Sequence, residues 1–296
     1  MARAGSDPAS LAGVTVRNRL KQCRKVARDL ASDPSNDEHV HQLRVATRRA
    51  DAALRLYAPH LPKRAVRRMR KRLRAVRRAA GNVRNLDVLL LRLDPADSPD
   101  NSAPAGQKQV IRQLRRCRKR EVRQLLDRLP RLLDKRYRRL SRRFLRHLED
   151  AGRHSKRFQT DRLLQPITDQ FARAATEDLS NIDNLHRFRI CGKRVRYAVE
   201  ILKGQIPRNR YNSVIESLKQ LQESVGTIND HHTAIELLES VRSRCDAPNA
   251  LEALNQLIAR EQQLLASRHA AFLEWWQTAG SARREAIRNC TKLAAS

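Results

Sequence analysis

The sequence predicts an all-α protein, and three observations carry that prediction. Leu, Ala, Arg and Gln dominate long uninterrupted stretches, while aromatic residues are only 4% and glycine and proline number 9 and 11 in 296 residues. That composition favours helix and gives strands little β-branched or aromatic support. Apolar residues also recur at helical spacing through most of the chain, and the chain repeats itself at a fixed offset. With 40% hydrophobic residues it is long enough to bury a substantial core and is read as folded throughout.

The first helix is expected from about Leu11 to Leu30, closed by Asp33, Pro34, Ser35, Asn36 and Asp37, turn formers that also cap the next helix. That second helix reaches about Tyr57, with Leu43, Ala46, Ala50, Ala53, Leu54 and Tyr57 on one face, and Pro59 and Pro62 end it. A third carries Val66, Met69, Leu73, Val76 and Ala80 as far as Gly81, and a further helical run continues to Leu93. Residues 94 to 106, DPADSPDNSAPAG, read as an exposed connection. Beyond it helices are expected near 108 to 129, 131 to 149, 161 to 179, 183 to 203, 208 to 242, 249 to 279 and 281 to 292.

Sliding the chain against itself by 145 residues pairs VHQLRVATRR with LHRFRICGKR, and His41 with His186, Arg44 with Arg189, Arg49 with Arg194, Ala53 with Ala198, Pro62 with Pro207, Leu73 with Leu218, Gly81 with Gly226 and Leu93 with Leu238. A constant register that includes a His, two Arg, a Pro and a Gly reads as two homologous halves, two similar antiparallel helical bundles related by pseudo-two-fold symmetry. On a helical wheel, with His41 at zero, Arg44, Arg48 and Arg55 fall at about 300°, 340° and 320°, opposite the apolar face. His186, Arg189 and Lys193 repeat those angles, while Glu200 replaces the last Arg. If the helices start near Asp37 and Asp183, both histidines lie in a first turn, where free N–H groups and the helix dipole favour an anion.

Charge names the partner class. Lys and Arg total 62 against 31 Asp and Glu, a formal net charge of +31, and 50 of the 62 are Arg. The guanidinium is a planar, always-charged fork that matches phosphate oxygens. Six positions are basic in both halves, 41/186, 44/189, 48/193, 49/194, 63/208 and 74/219, and a charge needed only for solubility has no reason to recur in one register. The candidate ligand-binding residues are His41, Arg44, Arg48, Arg49, Arg55 and Arg74 with His186, Arg189, Lys193, Arg194 and Lys219. Two such stripes facing one another form a channel lined by positive charge.

Other signals are weaker. Five cysteines at wide, uneven spacing indicate neither a disulfide framework nor a zinc site. Cys191 reads as a structural thiol, Asn229 and Asp230 as cross-links between helices, and Trp275 and Trp276 as one core and one surface ring. Adjacent His231 and His232 point about 100° apart on a helix and make a poor metal pair. The remaining arginine clusters read as solvated faces that steer a polyanion. No apolar run spans a membrane, and Met1 to Gly13 lacks the apolar stretch of a secretory signal, so a cytoplasmic location is expected.

HQLRVATRR and HRFRICGKR resemble the signature helices of the CHAD domain, the conserved-histidine α-helical domain, and GNVRNLDVLL and LQESVGTINDHHTAIELL resemble its second recurrent element in each half. The resemblance covers about residues 11 to 285, with halves 11–150 and 160–285, a flexible N-terminus at 1–10 and a tail at 286–296. It implies two similar bundles around a basic central pore, binding of inorganic polyphosphate, and targeting to polyphosphate granules in some members. By that resemblance His41, Arg44, Arg48, His186, Arg189 and Lys193 line the pore. Asn85 stands where the family often has Asp, and no ExExK strand motif of a fused triphosphate domain is present. The expectation is therefore a stand-alone, non-catalytic binding module that needs no cofactor and no metal. No P-loop, no HExxH and no paired carboxylates accompany the basic stripes. The main alternative is an RNA- or DNA-binding protein, against which stands the scarcity of aromatics among the basic helices. Nonspecific nucleic-acid binding is expected in either case, and a phosphohydrolase acting on polyphosphate is the third class.

Overall fold

A computed structural model describes residues 8–93, 104–152 and 159–289. They form ten α-helices and no strand: α1 Pro8–Ser32, α2 Asp37–Leu56, α3 Lys63–Leu93, α4 Ala105–Leu126, α5 Pro130–Leu133, α6 Lys135–Gly152, α7 Thr160–Ala174, α8 Ile182–Ile201, α9 Arg208–Arg242 and α10 Pro248–Asn289. Short 3₁₀ turns at Ala58–His60 and Lys203–Gln205 link α2 to α3 and α8 to α9. The expected connection at 94–106 lies outside the described residues up to 103, and most of the expected N-terminal segment and tail lie outside them as well.

The offset found in the sequence recurs element by element. Helix α2 begins at Asp37 and α8 at Ile182, the 3₁₀ turns begin at 58 and 203, and α3 and α9 begin at 63 and 208. The caps repeat too. Asn36 accepts from the Glu38 N–H at 3.0 Å, and Asn181 accepts from the Asp183 N–H at 2.9 Å. In the turns just before, the Ser35 and Ser180 hydroxyls donate to Asp33 and Asp178 at 2.5 and 2.7 Å. Both turns thus satisfy the free N–H groups of a helix start with local side chains.

Three boundaries differ from expectation for physical reasons. Helix α3 runs unbroken through Gly81, because Val76, Ala80, Val83, Leu86 and Leu89 stay on one buried stripe and such packing outweighs glycine's cost of about 1 kcal/mol. Helix α10 continues past Gly280, where an added Cβ would come within 2.8 Å of the Trp276 ring, so the missing side chain makes room for that ring. The helix expected over 131 to 149 is instead split at Asp134. Its carboxylate caps α6 by accepting from the Tyr137 N–H at 2.6 Å and also accepts from Arg72 at 2.8 Å.

Helices α1, α2, α3 and α6 pack together, as do α7, α8, α9 and α10, and α2 meets α8 where the two groups join. One large core threads both groups, with Tyr57, Tyr137, Phe144, Phe171 and Phe188 among its fully buried side chains. A smaller core closes the far end, where Leu86 and Leu89 of α3 and Val110 and Leu114 of α4 face Ala234 and Leu238 of α9 and Leu254 and Ile258 of α10. The long helices α3 and α9 therefore reach from one core to the other. Between the cores their flanks, with those of α2 and α8, wall a polar cleft.

Candidate functional site

The cleft encloses about 290 Å³. Helix α2 contributes His41, Arg44 and Arg48, α3 contributes Arg84, Asn85 and Arg92, α8 contributes Arg189 and Lys193, and α9 contributes Asp230 and Thr233. Their spacing follows from helix geometry: 41, 44 and 48, like 189 and 193, are three or four residues apart and share a face.

Among the described residues most of these cations find no carboxylate partner. Arg44 donates to the neutral Asn85 amide oxygen at 3.1 Å and Arg48 to the Tyr197 hydroxyl at 3.2 Å. The Arg189 Nε atom is buried without a hydrogen-bond partner. Among the described residues Asp230 is the one carboxylate on the cleft wall. Arg92 differs, since Glu261, largely buried, accepts from it at 2.5 and 2.7 Å and also lies 2.7 Å from His231 Nδ1.

Crowding like charges in a partly desolvated space penalises the charged forms. Burial, then repulsion from Arg189, Arg48 and Arg44, lowers Lys193 to about 7, with Asp230 opposing. Burial, then Arg48 and Arg189, brings Arg44 to about 10. Arg189 is shifted down by burial, which Asp230 partly offsets. An incoming anion reverses each of these penalties, because it restores hydrogen-bond acceptors and opposite charge together.

The structure brings together His41, Arg44, Arg48, Arg189 and Lys193, five of the eleven predicted residues, in one cleft. His186 lines an adjoining depression with Asp183, Asn229, His232 and Glu236, which shares Arg189 and Thr233 with the cleft. The others lie elsewhere. Arg49 sits with Arg19 and Glu38 between α1 and α2. Arg55 is tied to buried Asp51 at 3.0 Å, and Arg194 donates to Gln170 at 3.2 Å. Arg74 lies on an outer groove of α3, and Lys219 is exposed beside Glu216. Nor are the histidines in first turns. Each is the fifth residue of its helix, and the N-termini are already capped by Asn36 and Asn181.

Arg84, Arg92, Asn85 and Asp230 were missing from the predicted set. A signal for two of them existed, since Asn85 and Asp230 occupy the same place at the 145-residue offset and face Arg44 and Arg189, themselves equivalent. Among the described residues no group of His, Cys, Asp and Glu has the arrangement of a metal site, and no helix is long and apolar enough to cross a membrane.

Long paired helices thus bracket a cleft whose described lining is rich in cations without a carboxylate partner, within an all-helical domain. The chain belongs to the CHAD domain family, matching it over residues 15–239. Its fold is shared with the crystal structure of the CHAD domain from the plant Ricinus communis, at 21% identity and a TM-score of 0.69, covering 98% of this chain and 93% of that one. PptA from Streptomyces chartreusis is similar over 91% of this chain and 99% of its own, at 18% identity and a TM-score of 0.62. No curated protein sequence matches the chain.

Proposed function

We propose that this protein binds inorganic polyphosphate, without catalysis, in the cleft between α2, α3, α8 and α9. Polyphosphate binding is general to the CHAD family, and one observation carries the reading to this chain. Arg44, Arg48, Arg84, Arg189 and Lys193 are packed together, with Asp230 as the only carboxylate among the described residues of the wall. Such an arrangement is unfavourable when empty and is relieved by closely spaced negative charges.

A phosphate chain supplies them. Its oxygens accept from the guanidinium forks, including the orphaned Arg189 Nε, and each charge-assisted bond contributes roughly 1.5 to 3 kcal/mol before ordering costs. The cleft and the His186 depression share Arg189 and Thr233, so a chain can pass from one histidine helix to the other, which is the basic central pore of the proposal. The repeated α2–α3 and α8–α9 units then relate its two sides by a pseudo-two-fold. No Phe, Tyr or Trp stands among the described residues that line the cleft, which favours a baseless phosphate chain over stacked nucleotides. Residence in the cytoplasm, associated with polyphosphate granules, follows from the same reading.

Calorimetric titration at about 0.3 M salt, where diffuse charge attraction is screened, tests the proposal. Long-chain polyphosphate is set against RNA and DNA of matched charge, for wild type and a His41/Arg44/Arg48 triple alanine variant. Polyphosphate binding that is tighter than that of either nucleic acid and is weakened in the variant is the expected result. Equal affinity for all three polyanions, untouched by the variant, overturns it in favour of nucleic acid, and metal-dependent phosphate release that the variant abolishes identifies a hydrolase instead.

A further inference from the structure

The N-terminal half of α3 carries a second basic feature that the cleft does not use. Lys63, Arg67, Lys71, Arg74 and Arg78 recur at intervals of three or four residues and are exposed, and Arg131 of α5 closes one side. Together they line a groove of about 640 Å³ with no acidic residue among the described residues of its wall. From Lys63 to Arg78 the helix rises fifteen steps, which makes the stripe about 22 Å long at 1.5 Å per step.

Neighbouring arginines on the same helix are ion-paired to carboxylates, which makes the contrast informative. Arg70, which also touches the groove, is held by Asp51 at 2.8 Å, Arg77 by Asp51 at 3.3 Å and Arg72 by Asp134 at 2.8 Å. The helix thus turns its paired arginines inward to carboxylates and leaves an unpaired row outside. No residue is shared between this groove and the cleft, whose α3 residues begin at Arg84.

We infer that the outer groove of α3 is a second, independent site for an extended phosphate chain. This rests on the polyphosphate reading of the cleft and adds a distinct place where the same ligand is held. The chemistry of the lining selects the ligand. Between the cations stand only Ala58, Val66 and Ala75, so the groove offers charge along a line and no ring on which a base can stack. An orthophosphate engages one or two of the cations, whereas a linear chain engages the row at once, and only such a ligand uses the full length. Arg74, predicted as a ligand residue from the repeat, acts here rather than in the cleft.

The test is calorimetry with size-fractionated short-chain polyphosphate on three variants of the full chain. One replaces Arg67, Lys71, Arg74 and Arg78 with Gln, and one replaces Arg44, Arg48, Arg189 and Lys193 with Gln. The third removes the same charge from exposed positions of α6, at Arg139, Arg142, Arg143 and Arg146. Two sites per chain are expected for wild type and the α6 variant, and one for each of the other two. All substitutions outside the cleft are at exposed positions, and circular dichroism with a thermal melt confirms that each variant folds. A groove variant that keeps both sites, or one that loses no more than the α6 variant, overturns the inference. Wild type that binds polyphosphate no better than charge-matched RNA defeats the polyphosphate reading itself, and a single site lost only in the cleft variant defeats the groove alone.

Discussion

Lys193→Met places the cleft's function in opposition to the fold's stability. The side chain keeps its length and loses its charge, so the perturbation isolates the electrostatic cost of holding an ammonium beside Arg189, Arg48 and Arg44. Burial and those neighbours lower Lys193 from 10.5 to about 7. At 1.36 kcal/mol per tenfold change this is at most roughly 5 kcal/mol, and screening at a partly exposed site reduces it to about 2 kcal/mol. The sign follows from linkage. Between pH 7 and 10.5 the unfolded chain holds the proton and the folded chain does not, so the penalty is full below pH 7 and fades as pH rises through that window. The variant should therefore melt higher than wild type at pH 6, by about 4 to 8 °C, and the advantage should shrink toward pH 10. Its affinity for polyphosphate should fall roughly tenfold or more, as expected for one charge-assisted bond. Thermal melts at pH 6 and 10 with calorimetry at pH 7 read both effects. A variant that melts lower than wild type at pH 6, or whose advantage is independent of pH, refutes the reasoning.

Asp230→Asn removes the cleft-wall carboxylate and should tighten polyphosphate binding by roughly fivefold, equivalent to about 1 kcal/mol of relieved repulsion, while lowering the melting temperature. Weaker binding by calorimetry contradicts this. Asp51→Ala strips the shared partner of Arg55, Arg70 and Arg77 and should cost roughly 2 to 4 kcal/mol in urea unfolding. Burial works against the Asp51 carboxylate but Arg55, Arg70 and Arg77 hold it below the ordinary range. Its contribution is therefore complete above the unfolded carboxylate value and lost as pH falls through the lower folded one, so wild type and variant should converge in acid. Gly106→Ala drives a Cβ into the Asn249 carbonyl on α10 and should cost about 1 to 3 kcal/mol by overpacking. An unchanged melt would show that α4 and α10 separate freely.

Much of the fold was legible because helix signals are local. The stripe of Leu73, Val76 and Ala80 and the turn of Asp33, Ser35 and Asn36 each announce an element within one or two helical turns. Junctions were harder where a tertiary contact decides. Gly81 reads as a stop until the continuous buried stripe is seen, and Gly280 reads as a break until Trp276 occupies the space beside it. The site was legible to the extent that its residues share a helix. His41, Arg44 and Arg48 follow from spacing, whereas Arg84 and Arg92 come from another helix and have no basic counterpart at the offset, where Asn229 and Leu237 stand. The filter that required charge in both halves excluded them for that reason. It also admitted Arg74 and Lys219, which recur in register but face away from the cleft, because register fixes a place along a helix pair and not which of its faces meets the neighbour.

The measurement that bears most directly on the central claim compares two variants of equal charge loss. Polyphosphate affinity at about 0.3 M salt is determined for the Arg44, Arg48, Arg189 and Lys193 to Gln variant and for the α6 variant lacking Arg139, Arg142, Arg143 and Arg146. A cleft that recognises the phosphate chain predicts loss of its binding site in the first and near wild-type affinity in the second. Equal weakening in both would mean that net charge alone attracts the polyanion, and would contradict the account.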